Sequence, residues 1–344
     1  MVFFSLAARI LMNVEALNMV ESVGNYIRHR RAPIVVPRNG GFMLRFAPVI
    51  SGESIAHAYQ EILAEISLKT GLPVCDNCKI GHFIKHADES VFEKWAQGKR
   101  GFELEKAIVE NCVVEDIGGF MFAGTEPVKR TSRFQVGYMV PALDTLSVAA
   151  TEAQFHTRYS TKREYQSIYN VEIGSAIYSL IFNLNVSGIG VTSFEKVEKV
   201  LSHDERRKRV EVAYKALDIM LSNSLFGARR ARFTPQWKIL SAVAIVSHPI
   251  SIVTETPHDT RYIKRTLQKV KDVISTLKTG NLKIEEFAWI GYYSSGDEDI
   301  GDIKTLKDTI KDATVESFDT ISALINKAMQ VTLNLLEQEM KSTA

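Results

Sequence analysis

Apolar side chains recur at every second position near the start of the chain: Phe4, Leu6, Ala8, Ile10, Met12 and Val14 share one parity, Ser5, Arg9 and Asn13 the other. A period of two with one partly polar face predicts a strand over 2–14. The period then lengthens. Ile55, Tyr59, Ile62 and Ile66 are spaced by four, three and four, which predicts an amphipathic helix with Ser51 as its N-cap and Gly71-Leu72-Pro73 as its end. The core resumes at Asp116-Ile-Gly-Gly-Phe-Met-Phe122. A strand over 176–184, a helix over 205–222 with Val210, Ala213, Leu217 and Met220 inward, and an alternating strand over 238–247 follow. A closing helix carries Ile321, Leu324, Ala328, Val331 and Leu335 on one face.

Three stretches break this rhythm. Residues 73–112 are polar and carry the cysteines. Residues 142–172 are rich in Thr, Ser, Gln, Arg and Tyr without a sustained apolar face, and predict a protruding hairpin or loop. Residues 250–312 form a further insertion. Without the insertions the order is β, α, β, β, α, β, so the predicted fold class is α+β, a ferredoxin-like arrangement of the kind found in RNA-recognition domains.

Charge changes the picture because its distribution is uneven. The net charge is +2, yet Arg28-His-Arg-Arg31, Lys129-Arg-Thr-Ser-Arg133, Arg206-Arg-Lys-Arg209 and Arg229-Arg-Ala-Arg232 are dense basic clusters. Guanidinium groups make bidentate contacts to phosphate and stack on bases, so a fold that gathers these clusters would hold a polyanion, with single-stranded RNA the leading candidate. Residues 251–344 carry 12 Lys+Arg against 15 Asp+Glu, including Asp297-Glu-Asp299. A basic body with an acidic end suits head-to-tail association. No apolar run is long enough to span a membrane, and the N-terminal segment lacks the positive start of a secretory signal. Three cysteines in a chain of this size do not suggest a disulfide framework, and a cytoplasmic location is expected.

The clearest local chemistry is Ser51-Gly-Glu-Ser54 at a helix start, where unpaired N–H groups and the helix dipole favour an anion, with Ser54 and His57 to assist. Glu53 opposes this mildly, and a simple N-cap is the alternative. Cys75, Cys78, His82 and His86 fall as C-x2-C-x3-H-x3-H, which offers four zinc-ligand types. The loop between the pairs is much shorter than in a zinc finger, so the expectation is no metal and no cofactor, with those four the candidates if one binds. Cys112 is expected as a small buried apolar group. Walker A, H-E-x-x-H, G-x-S-x-G and G-x-G-x-x-G patterns are absent, which removes the common nucleotide-dependent and hydrolytic classes. His156, beside Arg158, Tyr159 and Arg163, is the candidate base for an RNA hydroxyl, without a carboxylate nearby in sequence.

The segments Asn13-Val-Glu-Ala-Leu-Asn18, Val49-Ile-Ser-Gly-Glu-Ser-Ile-Ala-His57, Asp116-Ile-Gly-Gly-Phe120, Lys129 through Pro141 and Gly227-Ala-Arg-Arg-Ala-Arg-Phe-Thr-Pro235 together resemble the backbone subunit of archaeal type I-A CRISPR interference complexes. This is the "Cas-seven" family of the repeat-associated RNA-binding superfamily. The resemblance implies a palm of RNA-recognition type (1–72, 113–141 and 173–249), a finger insertion (73–112), a thumb (142–172), a further insertion (250–312) and a C-terminal helix (313–344). It implies RNA contacts from Asn18, Arg28, Arg30, Ser51, Gly52, Ser54, His57, Lys129, Arg130, Ser132, Arg133, His156, Arg158, Arg229, Arg230 and Arg232. The implied partners are a guide RNA, target DNA through that guide, further copies of the chain and other subunits of the complex. No K/R-G-F/Y-G/A-F aromatic motif is present, so sequence-neutral gripping of the backbone fits better than base reading. The expectation is therefore a non-catalytic scaffold. The alternatives are a metal-independent endoribonuclease with His156 as base and a sequence-specific regulator.

Overall fold

The computed structural model describes residues 1–86, 93–279, 288–310 and 313–341. Strand β1 (Phe3–Glu15) is followed by two hairpins, β2 (Met19–Val23) with β3 (Tyr26–His29), and β4 (Arg31–Arg38) with β5 (Gly41–Pro48). Helix α1 (Gly52–Lys69) leads to α2 (Asp76–Lys79), β6 (Lys85–His86), α3 (Gly101–Asn111) and α4 (Val113–Gly118). Short strands β7 (Phe120–Phe122), β8 (Val128–Arg130), β9 (Phe134–Val136) and β10 (Val140–Pro141) precede the long hairpin of β11 (Ala150–Arg158) and β12 (Ser167–Asn185). The chain closes with α5 (His203–Ser222), β13 (Gln236–Ser247), α6 (Tyr262–Thr279), β14 (Ala288–Ser294), α7 (Lys304–Lys307), β15 (Ala313–Phe318) and α8 (Ile321–Lys341).

The fold is mixed α/β around one large mixed sheet. Its order is β15-β14-β13-β1-β12; β9, β10 and β11 take successive stretches of the far edge of β12, and the β3-β2 pair joins at Asn170 and Val171 on the edge that β1 occupies further on. Strand β1 lies at the centre, antiparallel to both neighbours, with Phe4 opposite Leu184 on β12 and Val246 on β13. Its even-numbered residues from Phe4 to Met12 enter a core with α1, α5 and α8. Ala7 faces the second core, built with α6. Both faces of β1 are thus covered, and the partly polar face expected from Ser5 and Arg9 is buried as well. Val14 departs from the pattern: a register shift between Met12 and Glu15 leaves it at φ 59° and exposed, while Glu15 turns inward.

Three expectations are corrected. Asp116–Phe122 does not re-enter the main sheet: it is helix α4 and then β7, which pairs with β6 and β8 in a small separate sheet. The chain returns to the main sheet at β9, opposite Phe182–Leu184. Residues 250–312 are not an excursion from the core, since β14 extends the main sheet beside β13. Residues 313–344 are not helix alone, because β15 precedes α8.

Buried arginines hold these pieces together. Asp116 accepts from Arg130 Nη2 on one carboxylate oxygen and from Arg209 Nη1 on the other at 2.9 Å. All three side chains are fully buried, and the amide of Gly190 adds a third donor to Asp116. Glu105 on α3 takes a second contact from Arg130 at 3.0 Å and the amides of Ser193 and Phe194. On the opposite face Arg9 pairs with Asp144 and Glu298. The acidic run near the C-terminus is therefore partly consumed inside the chain, with Asp297 paired to Lys238 at 2.6 Å.

Removing one partner of a buried ion pair leaves an uncompensated charge. Asp116→Ala, which strips two buried guanidinium groups at once, is expected to lower stability by roughly 3–5 kcal/mol in denaturant titration. Lys129→Ala, beside Arg130 in sequence but exposed, is expected to change it by less than about 0.5 kcal/mol. Equal effects of the two would remove Asp116 from this role.

Candidate nucleic-acid interface

A groove of about 1230 Å³ opens at the N-terminus of α1. Asn18, Arg30, Ser51, Gly52, Ser54, His57, Ser132 and Arg230 all line it, so half of the residues singled out by sequence meet there although they span more than two hundred positions. Ser51 caps α1 by accepting from the Ser54 amide at 3.3 Å, and the side-chain oxygen of Asn18 accepts from the Ser51 amide at 2.8 Å. Helix geometry leaves the amides of Gly52 and Glu53, two residues of the groove lining, without intrahelical partners. Gly52 permits the close approach: a Cβ there would lie 2.7 Å from the carbonyl oxygen of Val136 on the facing wall.

Sequence reasoning missed the groove floor. Gln60 and Asn183 are buried, and Gln60 Nε2, Asn183 Oδ1 and the Nε of Arg30 lack a hydrogen-bond partner. Buried polar atoms left open cost free energy unless a ligand or water completes them. Gln60 lies one turn along α1 from Ala56 with no sequence cue, but Gly118 supplies one: a Cβ there would fall 2.2 Å from Gln60 Nε2. The second glycine of Asp116-Ile-Gly-Gly-Phe120 has φ 72° and packs against the carbonyl of Arg130 and the amide of Ser132.

Other candidates divide into three groups. Arg28, Lys129, Arg229 and Arg232 are exposed but outside the groove lining, Arg229 and Arg232 beside Arg230 on one turn, with Arg229 at φ 57°. His156 and Arg158 lie on the β11–β12 hairpin. The His156 ring stacks on Tyr169 at 5.2 Å and meets Phe233 edge-on at 5.7 Å, while Arg158 sits over the same Tyr169. That ring contact joins the hairpin to the turn that carries Arg230. Arg130 and Arg133 are corrections: Arg130 is buried in the Asp116 network, and Arg133 is nine-tenths buried with Nη2 on the Val191 carbonyl and Ser193 hydroxyl. Burial, with Arg130 adding its own charge, lowers the Arg133 pKa to about 10. Arg206 and Arg209 of the third cluster are buried too. Exposed aromatics on the hairpin, Phe155, Tyr159 and Tyr165, were not weighed as stacking surfaces and are the second group missed.

The pairing of cysteines with histidines is also corrected. His82 is exposed, the side chain of His86 lies outside the described residues, and Cys75 and Cys78 instead face Cys112.

The basic wall near Arg30 is held by a buried pair. His29 Nε2 lies 2.5 Å from Glu15 Oε1, which also accepts from Tyr178, and Glu15 Oε2 accepts from the Leu17 amide. Glu172 accepts from the His29 amide and from Arg31. Burial pulls the His29 pKa down, but its hydrogen bond to Glu15 and the charge of that carboxylate outweigh burial and raise it; the same partner lowers Glu15.

Comparison with known proteins places this architecture. A family model described as "CRISPR-associated negative auto-regulator DevR/Csa2" matches residues 6–267. The "CRISPR-associated aCascade subunit Cas7/Csa2 2" of Saccharolobus solfataricus is 41% identical over 290 residues, 80% of this chain and 88% of that protein. "CRISPR-associated protein Cas7/Csa2 1" of the same organism is 40% identical over 243 residues, 68% and 75% of the two chains. A chain of a "CRISPR RNA-guided surveillance complex, pre-nicking" superposes with a TM-score of 0.53 at 13% identity, covering 96% of this chain and 100% of that one. A chain of a "CRISPR RNA-guided surveillance complex" gives 0.50 at 13% identity, covering 96% and 99%. The fold is thus the mixed α/β build of these complex-forming CRISPR-associated chains. The protein belongs to the DevR/Csa2 family, that of the archaeal Cascade Cas7 proteins, as its sequence motifs indicated.

The pair yields a pH dependence. His29 is raised above its ordinary 6.5, so its contribution to stability is complete below that pH and is lost as pH rises through the raised value. Glu15 is lowered below 4.5, so its contribution is complete above that pH and is lost as pH falls through the lowered value. Both are present between 4.5 and 6.5. The stability gap between the native protein and Glu15→Gln is expected to be widest in that window and to narrow above it in melting experiments. A gap independent of pH would contradict the charged pair.

Proposed function

We propose that this protein is a non-catalytic backbone subunit that grips a guide RNA, assembles in several copies along it and presents it to target DNA. The carrying observation is the groove: a helix N-terminus, two arginines and three unsatisfied buried polar atoms meet there. Amide donors and guanidinium groups can grip phosphate whatever the base, which suits a carrier of arbitrary guides. The order β13-β1-β12-β9, antiparallel throughout and covered on one face by α1 and α5, supports a ferredoxin-like palm. On this reading residues 73–112 are the finger, and the β11–β12 hairpin is the thumb, its exposed aromatics placed for base stacking. No helix among the described residues is long and apolar enough to cross a membrane.

Arg30→Ala with Arg230→Ala is expected to weaken binding to all single-stranded RNA sequences alike. The slope of log affinity against log salt should flatten by roughly 0.7 per lost phosphate contact. A folded variant with an unchanged slope would return both arginines to solvated surface charge. Incubation with repeat RNA in chelator is expected to leave it intact, and specific product bands would favour the endoribonuclease reading with His156 as base.

Assembly is tested separately. Particle mass by light scattering is expected to grow stepwise with RNA length, as a head-to-tail interface builds an open array. One fixed stoichiometry at every length would overturn the scaffold reading.

A further inference from the structure

The three cysteines of the chain converge where the 73–112 segment meets the core. Cys75 is the N-cap of α2, Cys78 lies on its buried side, and Cys112 is the single residue between α3 and α4. All are buried, and their sulfurs lie within 4.8 Å of one another. Tetrahedral zinc–thiolate bonds of about 2.3 Å place sulfurs roughly 3.8 Å apart, so closing this triangle on a metal takes shifts of about an ångström or less. Oε1 of the fully buried Glu115 lies 3.0 Å from Cys78 Sγ and accepts the Ile84 amide at 2.8 Å.

We propose that Cys75, Cys78, Cys112 and Glu115 form a closed structural zinc site that staples helix α2 to the junction of α3 and α4. The gathering of three buried sulfurs beside a buried carboxylate favours a metal over three inert thiols. A disulfide would use two sulfurs and leave the third and the carboxylate facing it.

Ligand chemistry selects the ion. Three soft thiolates favour zinc over magnesium or calcium, and four protein donors leave no open position for catalysis. Binding converts the thiols to thiolates and releases their protons to solvent. The coordination sphere then carries excess negative charge, which the Ile84 amide on Glu115 partly offsets. The position is strategic: Asp116 follows Glu115 directly, and the Cys112 amide bonds to Ile108 while the Val113 amide bonds to Pro73. Zinc would therefore clamp the base of the segment beside the buried arginine network.

The test uses the full chain, purified under reducing conditions without a histidine tag. Elemental analysis is expected to show one zinc per chain, released in step with mercurial titration of the thiols. Cobalt added to the stripped protein should give the thiolate charge-transfer band and intense visible bands of a tetrahedral site. Cys112→Ser should abolish both signals, whereas His82→Ala, which alters the histidine of the C-x2-C-x3-H pattern, should retain them. Misfolding of Cys112→Ser leaves the native-protein measurements decisive. If stripped native protein takes up neither zinc nor cobalt, and its three thiols react equally with and without zinc, the proposal is overturned.

Discussion

Asp116 is the constraint on which the rest of the architecture depends. One buried carboxylate faces two buried guanidinium groups, from β8 and from α5, and Glu105 on α3 balances the remaining charge. Moving such charges out of water is costly, and only complete mutual pairing makes it tolerable. The network therefore fixes the relative positions of α3, α4, β8, α5 and the loop at 188–194 together. Hydrophobic burial of Ile117, Val113 and Val210 supplies driving force but no direction; the ion pairs supply direction.

The groove inherits its shape from that hub. Arg130 anchors the strand whose continuation places Ser132 and Phe134 on one wall, and Gly118 and Gly119 let α4 pass close to Gln60 and to that strand. The opposite wall rests on the buried His29–Glu15 pair, which turns the ends of β1 and β3 so that Asn18 meets the α1 cap and Arg30 the open space. Gly174 accommodates the pair, since a Cβ there would fall 2.6 Å from Glu15 Oε1. Both walls of a solvent-filled cleft are thus set by groups that water does not reach.

Much of this was legible in the sequence where periodicity carried the signal. The strand at β1, the helices α1 and α5 and the strand at β13 follow from apolar spacing and, for α1, from the cap at Ser51. The groove residues near α1 were legible because a helix start has recognisable chemistry. Burial of arginines was not. Lys129 and Arg130 read alike in a basic run, and only the alternation of a three-residue strand sends one outward and the other to Asp116. Strand β9 was legible as the apolar run Phe134–Tyr138 after the second basic cluster, though not as the return to the main sheet, and β14 and β15 were hidden by the reading of 250–312 as an insertion. Cys112 gave no hint of its partners, because its approach to Cys75 and Cys78 depends on how α3 and α4 fold back.

Strand β12 runs for 19 residues without interruption, and β1, β9, β10, β11 and β3 share its length. Its first nine residues pair with β11 in the arm and its later residues with β1 in the core. At about 3.3 Å per residue the arm portion is roughly 30 Å long, and it is braced as well as rooted: β3 pairs with it at Asn170 and Val171, and His156 meets Phe233 of the Arg230 turn. Such an arm has no joint: changing its angle means breaking these braces and twisting the ladder at its root, where Gly174 faces both Thr151 and Glu15. The reach and bearing of its tip are therefore inherited from the body, and in a row of identical copies every tip would keep the same offset from its own groove.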